Sequence, residues 1–83
     1  MKISIKYFAS IREALKSNHE ICETSAGTVA ALRDELIARG GAYAASLARG
    51  KAVRVALNQT LCEENAALPE GAEVAFFPPV TGG

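Results

Sequence analysis

Apolar and polar residues alternate along residues 1–8: Met1, Ile3, Ile5 and Tyr7 are interleaved with Lys2, Ser4 and Lys6. A period of two belongs to a strand with one buried face, so the odd positions predict the core side and the even positions the solvent side. Phe8 falls in the even set, a large ring in line with lysines. Ser10-Ile11-Arg12-Glu13 has the form of a capping box and predicts a short helix running through Leu15. A weaker strand centred on Ile21, over residues 18–24, should pair antiparallel with the first.

The period becomes helical after Ala26-Gly27. Val29, Leu32, Leu36 and Ile37 form an i, i+3, i+7, i+8 stripe, with Arg33, Asp34 and Arg39 turned elsewhere. This predicts the main helix over residues 29–39, capped by Thr28 and ended by Gly40-Gly41. An alanine-rich stretch, 42–48, with Tyr43 and Leu47 four apart, predicts a second short helix. Alternation returns at Val53, Val55 and Leu57 against Arg54 and Ala56. Asn58-Gln59-Thr60 then turns the chain, Leu61-Cys62 is a brief edge strand, and 63–67 is irregular or a single helical turn. Leu68-Pro69-Glu70-Gly71 is a tight turn with proline early and glycine late. It feeds a last strand, 73–77, in which Val74 and Phe76 face one way and Ala75 and Phe77 the other. One helix of consequence among these strands predicts an α+β roll: a mixed sheet with the helix packed across one face.

The pattern ends abruptly at Phe76-Phe77-Pro78-Pro79-Val80-Thr81-Gly82-Gly83. Two adjacent prolines donate no N–H to a sheet ladder, so pairing must stop after Phe77. The chain therefore divides into a domain, 1–77, and an extended tail, 78–83. Val80 and Thr81 favour extended backbone, and Gly82 and Gly83 put no Cβ in the way of anything approaching the end. The tail delivers the α-carboxylate of Gly83, ionised at neutral pH and a poor electrophile until activated, for instance as an acyl-adenylate. A floppy glycine terminus without chemistry is the alternative, and the Pro-Pro spacer weighs against it.

Composition narrows the partners. With 83 residues the domain is small and buries only about 60–65% of its unfolded surface, so a large pocket of its own is not expected. Nine basic residues balance nine acidic ones, which removes the long-range field that nucleic acid or an anionic membrane would need. No apolar run approaches a membrane span and the opening residues form a strand where a signal peptide would need an apolar core, so a cytoplasmic location is expected. Cys22 and Cys62 are too few and too far apart for a disulfide framework or a zinc knuckle, and His19 stands alone, so no metal is expected. Asn58-Gln59-Thr60 matches a glycosylation acceptor but is read as a turn. Without a nucleophile–base pair, a metal cluster or a phosphate-cradling loop, a stand-alone enzyme is the least supported class.

If the first and last strands are neighbours, Phe8 and Phe77, both on the outward set, join Leu61 in one exposed apolar patch at the base of the tail. A patch of that kind on a monomer is a partner site.

The tail, the Leu68-Pro69-Glu70-Gly71 turn, the Asn58-Gln59-Thr60-Leu61 segment and the run Tyr7-Phe8-Ala9 followed by Arg12-Glu13 resemble, over the whole chain, the molybdopterin synthase small-subunit family of ubiquitin-like, β-grasp sulfur carriers. The ending from Glu73 to Gly83 is the most specific part. Ala72 departs from the aspartate usual in that family after the turn glycine, which bears on a local turn contact.

The resemblance implies that an adenylating enzyme related to those that activate ubiquitin uses ATP to adenylate Gly83, and that a sulfur-donor system then converts it to a thiocarboxylate. It further implies that the tail enters the large synthase subunit, in a heterotetramer, and gives sulfur to cyclic pyranopterin monophosphate. No cofactor is bound permanently in this scheme. Gly82 and Gly83 carry the chemistry. Phe8, Leu61, Phe77, Pro78, Pro79, Val80 and Thr81 are the partner-binding positions, with Arg12 adding a polar contact. A carrier for thiazole or tRNA thiolation, a ubiquitin-like modifier conjugated to lysines, and an inert interaction domain remain open beside it.

Overall fold

The computed structural model describes residues 1–79, and Val80, Thr81, Gly82 and Gly83 lie outside them. The sheet is built from β1 (Lys2–Tyr7), β2 (His19–Glu23), β3 (Arg54–Leu57), β4 (Thr60–Leu61) and β5 (Glu73–Phe77), in the spatial order β2-β1-β5-β3-β4. β1 and β5 run parallel at the centre, and every other pairing is antiparallel, so the sheet is mixed as the pattern predicted. Three helices, α1 (Ala9–Leu15), α2 (Val29–Ile37) and α3 (Gly41–Leu47), complete the fold. Ile3, Ile5, Tyr7, Val55, Val74 and Phe76 from the strands meet Val29, Leu32, Leu36 and Leu47 from the helices in one core, all of them at most 4% exposed. Packing of this apolar face stabilises the domain, because a helix of nine residues or fewer is marginal alone in water.

Several local expectations are corrected. The capping box at Ser10 does not form. α1 starts two residues earlier than that box implies, at Ala9, with Phe8 as N-cap and no side-chain cap. Phe8 is still extended and its N–H bonds the Phe76 carbonyl at 3.2 Å, while its own carbonyl accepts from the Arg12 N–H at 3.3 Å. Sheet pairing thus holds the helix entry, and Ser10 is already inside the first turn.

The main helix ends at Ile37, two residues short of the expected Arg39, and Gly40-Gly41 open α3 instead of closing α2. Both glycines have positive φ, +77° and +55°, where a side chain would be strained. Arg33, expected to turn away, is 3% exposed. Its Nε donates to the Leu47 carbonyl at 2.7 Å, its other nitrogens donate to the Ala48 and Lys51 carbonyls, and it pairs with Glu64 at 2.6 Å. A buried guanidinium therefore ties α2 to the end of α3, the following loop and the segment after β4.

Elsewhere the pattern holds, except that the edge strand is Thr60–Leu61, one residue earlier than the expected Leu61-Cys62. Thr28 caps α2 by accepting from the Ala31 N–H at 3.1 Å. Asn58 and Gln59 both take positive φ, +50° and +69°, as the centre of a tight β3–β4 hairpin, and the Asn58 side chain accepts from the Glu73 N–H. Gly71 takes φ +76° in a turn closed by the Ala72 N–H on the Pro69 carbonyl. Ala72 is itself 2% exposed in the core. Both cysteines are free, and Cys22 is a buried core residue, so the buried face of β2 is carried by Cys22 while Ile21 points outward.

Candidate functional site: the open sheet face and the root of the tail

The helices cover one face of the sheet and leave the other open. Strand register lays the open face out in rows. Lys6, Ala75, Ala56 and Leu61 line up across β1, β5, β3 and β4. The next row joins Arg54 to Phe77 across β3 and β5, and Phe8 continues β1 beside Phe77 through its bond to Phe76. Phe8 is 44% exposed and Leu61 59%, while Phe77 is half-buried. The parallel pairing of β1 with β5 thus brings all three expected apolar residues to one face. Ala56 and Ala75 lie between Leu61 and the aromatic pair, with Arg54 flanking Phe77 on β3.

Ile21, 62% exposed, stands on the same face as the register partner of Ser4 and was not among the residues expected there. An isoleucine at the centre of a strand reads as core by residue type. The signal available was parity: Ser4 faces out, so its antiparallel partner must also. His19, beside Ile21 on β2, shares a 2.8 Å hydrogen bond with the Ser4 hydroxyl.

β5 ends at Phe77, where the prolines begin. Pro78 and Pro79 are half-buried, and Pro78 forms one wall of a cleft of about 350 Å³ on the helix side. The other walls come from α1, with Ile11 and Ala14, from α3, with Ala45 and Ser46, and from the segment 51–53 before β3, with Lys51 and Val53. The root of the tail therefore sits between two surfaces, the open face with Phe8 and Phe77 in front and this cleft behind. The cleft was not legible in the sequence because its walls come from four separate segments. Arg12 is exposed on α1, one turn past Phe8. Four of the site residues the sequence singled out, Val80, Thr81, Gly82 and Gly83, lie outside the described residues.

The site is held rigid from behind by a polar cluster on the core side. Glu20 of β2 accepts from the Tyr7 hydroxyl at 2.9 Å, from the Tyr43 hydroxyl at 3.0 Å and from Arg39, whose guanidinium also lies over the Tyr43 ring at 4.8 Å. Burial works against the Glu20 charge, but the hydrogen bonds from Arg39, Tyr7 and Tyr43 outweigh it and hold the carboxyl below its usual range. Burial, and then the bond to Glu20, push the Tyr7 phenol far up, so it stays a proton donor. The Tyr7 ring stacks with Phe76 at 6.3 Å, and these two residues immediately precede Phe8 and Phe77 in sequence, so this cluster fixes the strand ends that carry the patch. No group of three or more His, Cys, Asp or Glu side chains that could hold a metal occurs among the described residues. No described helix is long and apolar enough to cross a membrane.

Comparisons with known proteins agree with this geometry. The "Molybdopterin synthase sulfur carrier subunit" of Haemophilus influenzae is 40% identical over 98% of this chain and 99% of its own length. Its namesake from Escherichia coli strain K12 is 41% identical with the same coverage. Among solved structures, SAMP1 from Haloferax volcanii matches with a TM-score of 0.78 and 26% identity over the full length of both chains. A chain of the complex of subunits 1 and 2 of the molybdopterin-converting factor from Helicobacter pylori matches with a TM-score of 0.69 and 26% identity, again over both full chains. These neighbours give the mixed sheet its name, the ubiquitin-like β-grasp. With the ThiS family profile matching residues 5–83 and two relatives at this level of identity, the chain belongs to the ThiS family.

Proposed function

We propose that this chain is the sulfur carrier subunit of molybdopterin synthase: a protein that other enzymes load and unload at its C-terminal end. The observation that carries the proposal is the near full-length identity to two sulfur carrier subunits, joined to a sheet whose central strand runs straight into the Pro-Pro root of the tail. Its likeness to a chain from a two-subunit molybdopterin-converting factor complex supports the large synthase subunit as the partner.

The chemistry proposed at Gly83 balances as follows. The carboxylate attacks the α-phosphate of ATP on an adenylating enzyme, releasing pyrophosphate and leaving an acyl-adenylate. Sulfur delivered by the donor system at the sulfide level, as HS−, attacks the acyl carbon and expels AMP, giving the thiocarboxylate and a proton. On the large subunit that sulfur attacks cyclic pyranopterin monophosphate, water returns the acyl group to the carboxylate, and two transfers supply both sulfurs of the dithiolene. The domain contributes binding energy at a distance from the reacting atoms, through the Phe8, Phe77 and Leu61 face. Any side chain at position 83 would crowd the acyl carbon, so Gly83→Ala should abolish sulfur transfer and leave the melting transition unchanged.

Incubation with an adenylating enzyme, ATP and a sulfur donor should raise the intact mass by the exchange of one oxygen for one sulfur, located in the C-terminal peptide. An unchanged mass overturns the proposal. The likeness to SAMP1, a modifier by name, favours a second reading in which the Gly83 acyl group is joined to lysines of other proteins. That reading predicts higher-mass adducts in place of the sulfur exchange.

A further inference from the structure

Of the nine basic side chains of this electrically balanced chain, four are paired and five form no ion pair among the described residues; two of the five, Lys2 at the start of β1 and Lys16 just past α1, stand apart from the other three. Lys6, Arg33, Arg39 and Arg49 each hold an acidic partner: Glu73, Glu64, Glu20, and Asp34 with Glu64 respectively. Arg12, Lys51 and Arg54 form no ion pair among the described residues, and all three are exposed. They arrive from three different elements at the end of the domain where β5 stops. Arg54 is the register partner of Phe77, Lys51 lines the same cleft as Pro78, and Arg12 follows Phe8 by one helical turn. Residues 50–58 and 76–79 contain no acidic side chain, and Glu13 of α1 is the carboxylate nearest in sequence to any of the three. The root of the tail therefore wears a collar of unsatisfied positive charge.

Such charges contribute little to the fold, since even paired surface ions are worth about 0–1 kcal/mol. Their consequence appears on docking. A partner that covers Phe77 also covers Arg54 in the same row and takes its guanidinium out of water. A guanidinium so covered is costly unless a carboxylate meets it, and its planar fork fits a carboxylate with two hydrogen bonds. The tail ahead of the collar carries the opposite sign, a carboxylate at Gly83, and needs a channel that is positive at depth. A channel positive throughout would repel the collar. The partner must therefore change sign along the path, positive at the bottom and acidic at the mouth.

Resting on the function proposed above, we infer that Arg54 and Lys51, together with Arg12, form a specificity element that recognises carboxylates at the mouth of the large subunit's tail channel. This pairing orients the carrier before the apolar face closes. Because the collar is exposed in the free chain, it acts mainly on the rate of encounter, and salt weakens it.

The test is stopped-flow association of the full chain with the large synthase subunit at low and high ionic strength, using wild type, Arg54→Gln, Arg54→Glu, Lys51→Gln and Arg54→Lys, each first shown by thermal melting to be folded. Arg54→Glu should slow association about tenfold at low salt, the scale of electrostatic steering, with the difference vanishing at high salt. The two Gln variants should flatten the salt dependence, and Arg54→Lys should restore it. Association rates and salt slopes of Arg54→Glu and Lys51→Gln equal to those of a wild type that binds normally overturn the collar and leave the carrier function standing. A wild-type chain that fails to bind overturns both.

Discussion

Arg33 spends its charge inside the domain. Four groups accept from it: the carbonyls of Leu47, Ala48 and Lys51 and the carboxylate of Glu64. With the guanidinium removed, three carbonyls around the loop after α3 lose their donor together, and Glu64 keeps only its bond from Arg49. Arg33→Met keeps the apolar stem but none of these bonds, so it should lower unfolding free energy by about 2–3 kcal/mol in a denaturant titration. A loss below about 0.5 kcal/mol would show that water replaces the guanidinium at no cost. A single arginine among Leu32, Asp34 and Glu35 reads as solvent-facing, because periodicity ranks residues by polarity and is blind to acceptors brought from other segments. Those acceptors lie 14 to 31 residues away along the chain, which is why burial of this charge was not legible.

Among elements, the β3–β4 hairpin and strand β5 were the most legible, and α1 and the α2–α3 junction the least. Alternation at Val53, Val55 and Leu57 announced a strand and Asn58-Gln59-Thr60 a turn; the structure makes the turn a tight hairpin with Asn58 and Gln59 both at positive φ. Asn tolerates that region, while Gln does so at a cost. Gln59→Gly should therefore raise stability by up to about 1 kcal/mol, read as a shift in denaturant midpoint with unchanged slope. The two misjudged helix ends have a common cause. Capping signals are local, but Phe8 is held by its bond to Phe76 across the sheet, and Gly40-Gly41 serve the entry of α3 because their positive φ redirects the chain there. Tertiary pairing overrode the local signal in both places. For β5 the pattern sufficed, since Val74 and Phe76 against Ala75 and Phe77 leaves no doubt about which face is buried. The outward face then carries its own expectation. Phe77→Ala and Phe8→Ala should each weaken binding to the large subunit at least tenfold in calorimetry, the range of a central aromatic anchor, while melting temperature changes little. Unchanged affinity for both would remove the patch from the interface.

Across the whole molecule, Glu20 joins β2 to β1, the α2–α3 link and α3 through Tyr7, Arg39 and Tyr43. Its carboxyl is held below the ordinary range in the folded state. A depressed carboxyl pKa contributes stability that is fully present above the unfolded value, about 4.3, and is lost as pH falls through the folded one. Stability should accordingly fall as the solution is acidified below about pH 4–5, and Glu20→Gln should flatten that part of the profile while costing about 1 kcal/mol at pH 7. A Gln variant with the wild-type acid profile would assign the acid sensitivity to other carboxylates.

The apolar face was legible as a set of residues and became a surface only through topology. Phe8 and Phe77 lie at opposite ends of the sequence, and only the parallel pairing of β1 with β5 makes them neighbours.

That same pairing has a bearing on synthesis. The strand at the middle of the sheet is the last of the strands to leave the ribosome, so the first strand waits for it with one edge unfilled. A chain interrupted before residue 73 lacks the keystone of its own sheet and keeps an unpaired edge on β1. Quality control is thereby written into strand order: a carrier able to fold is one whose translation has reached the business end.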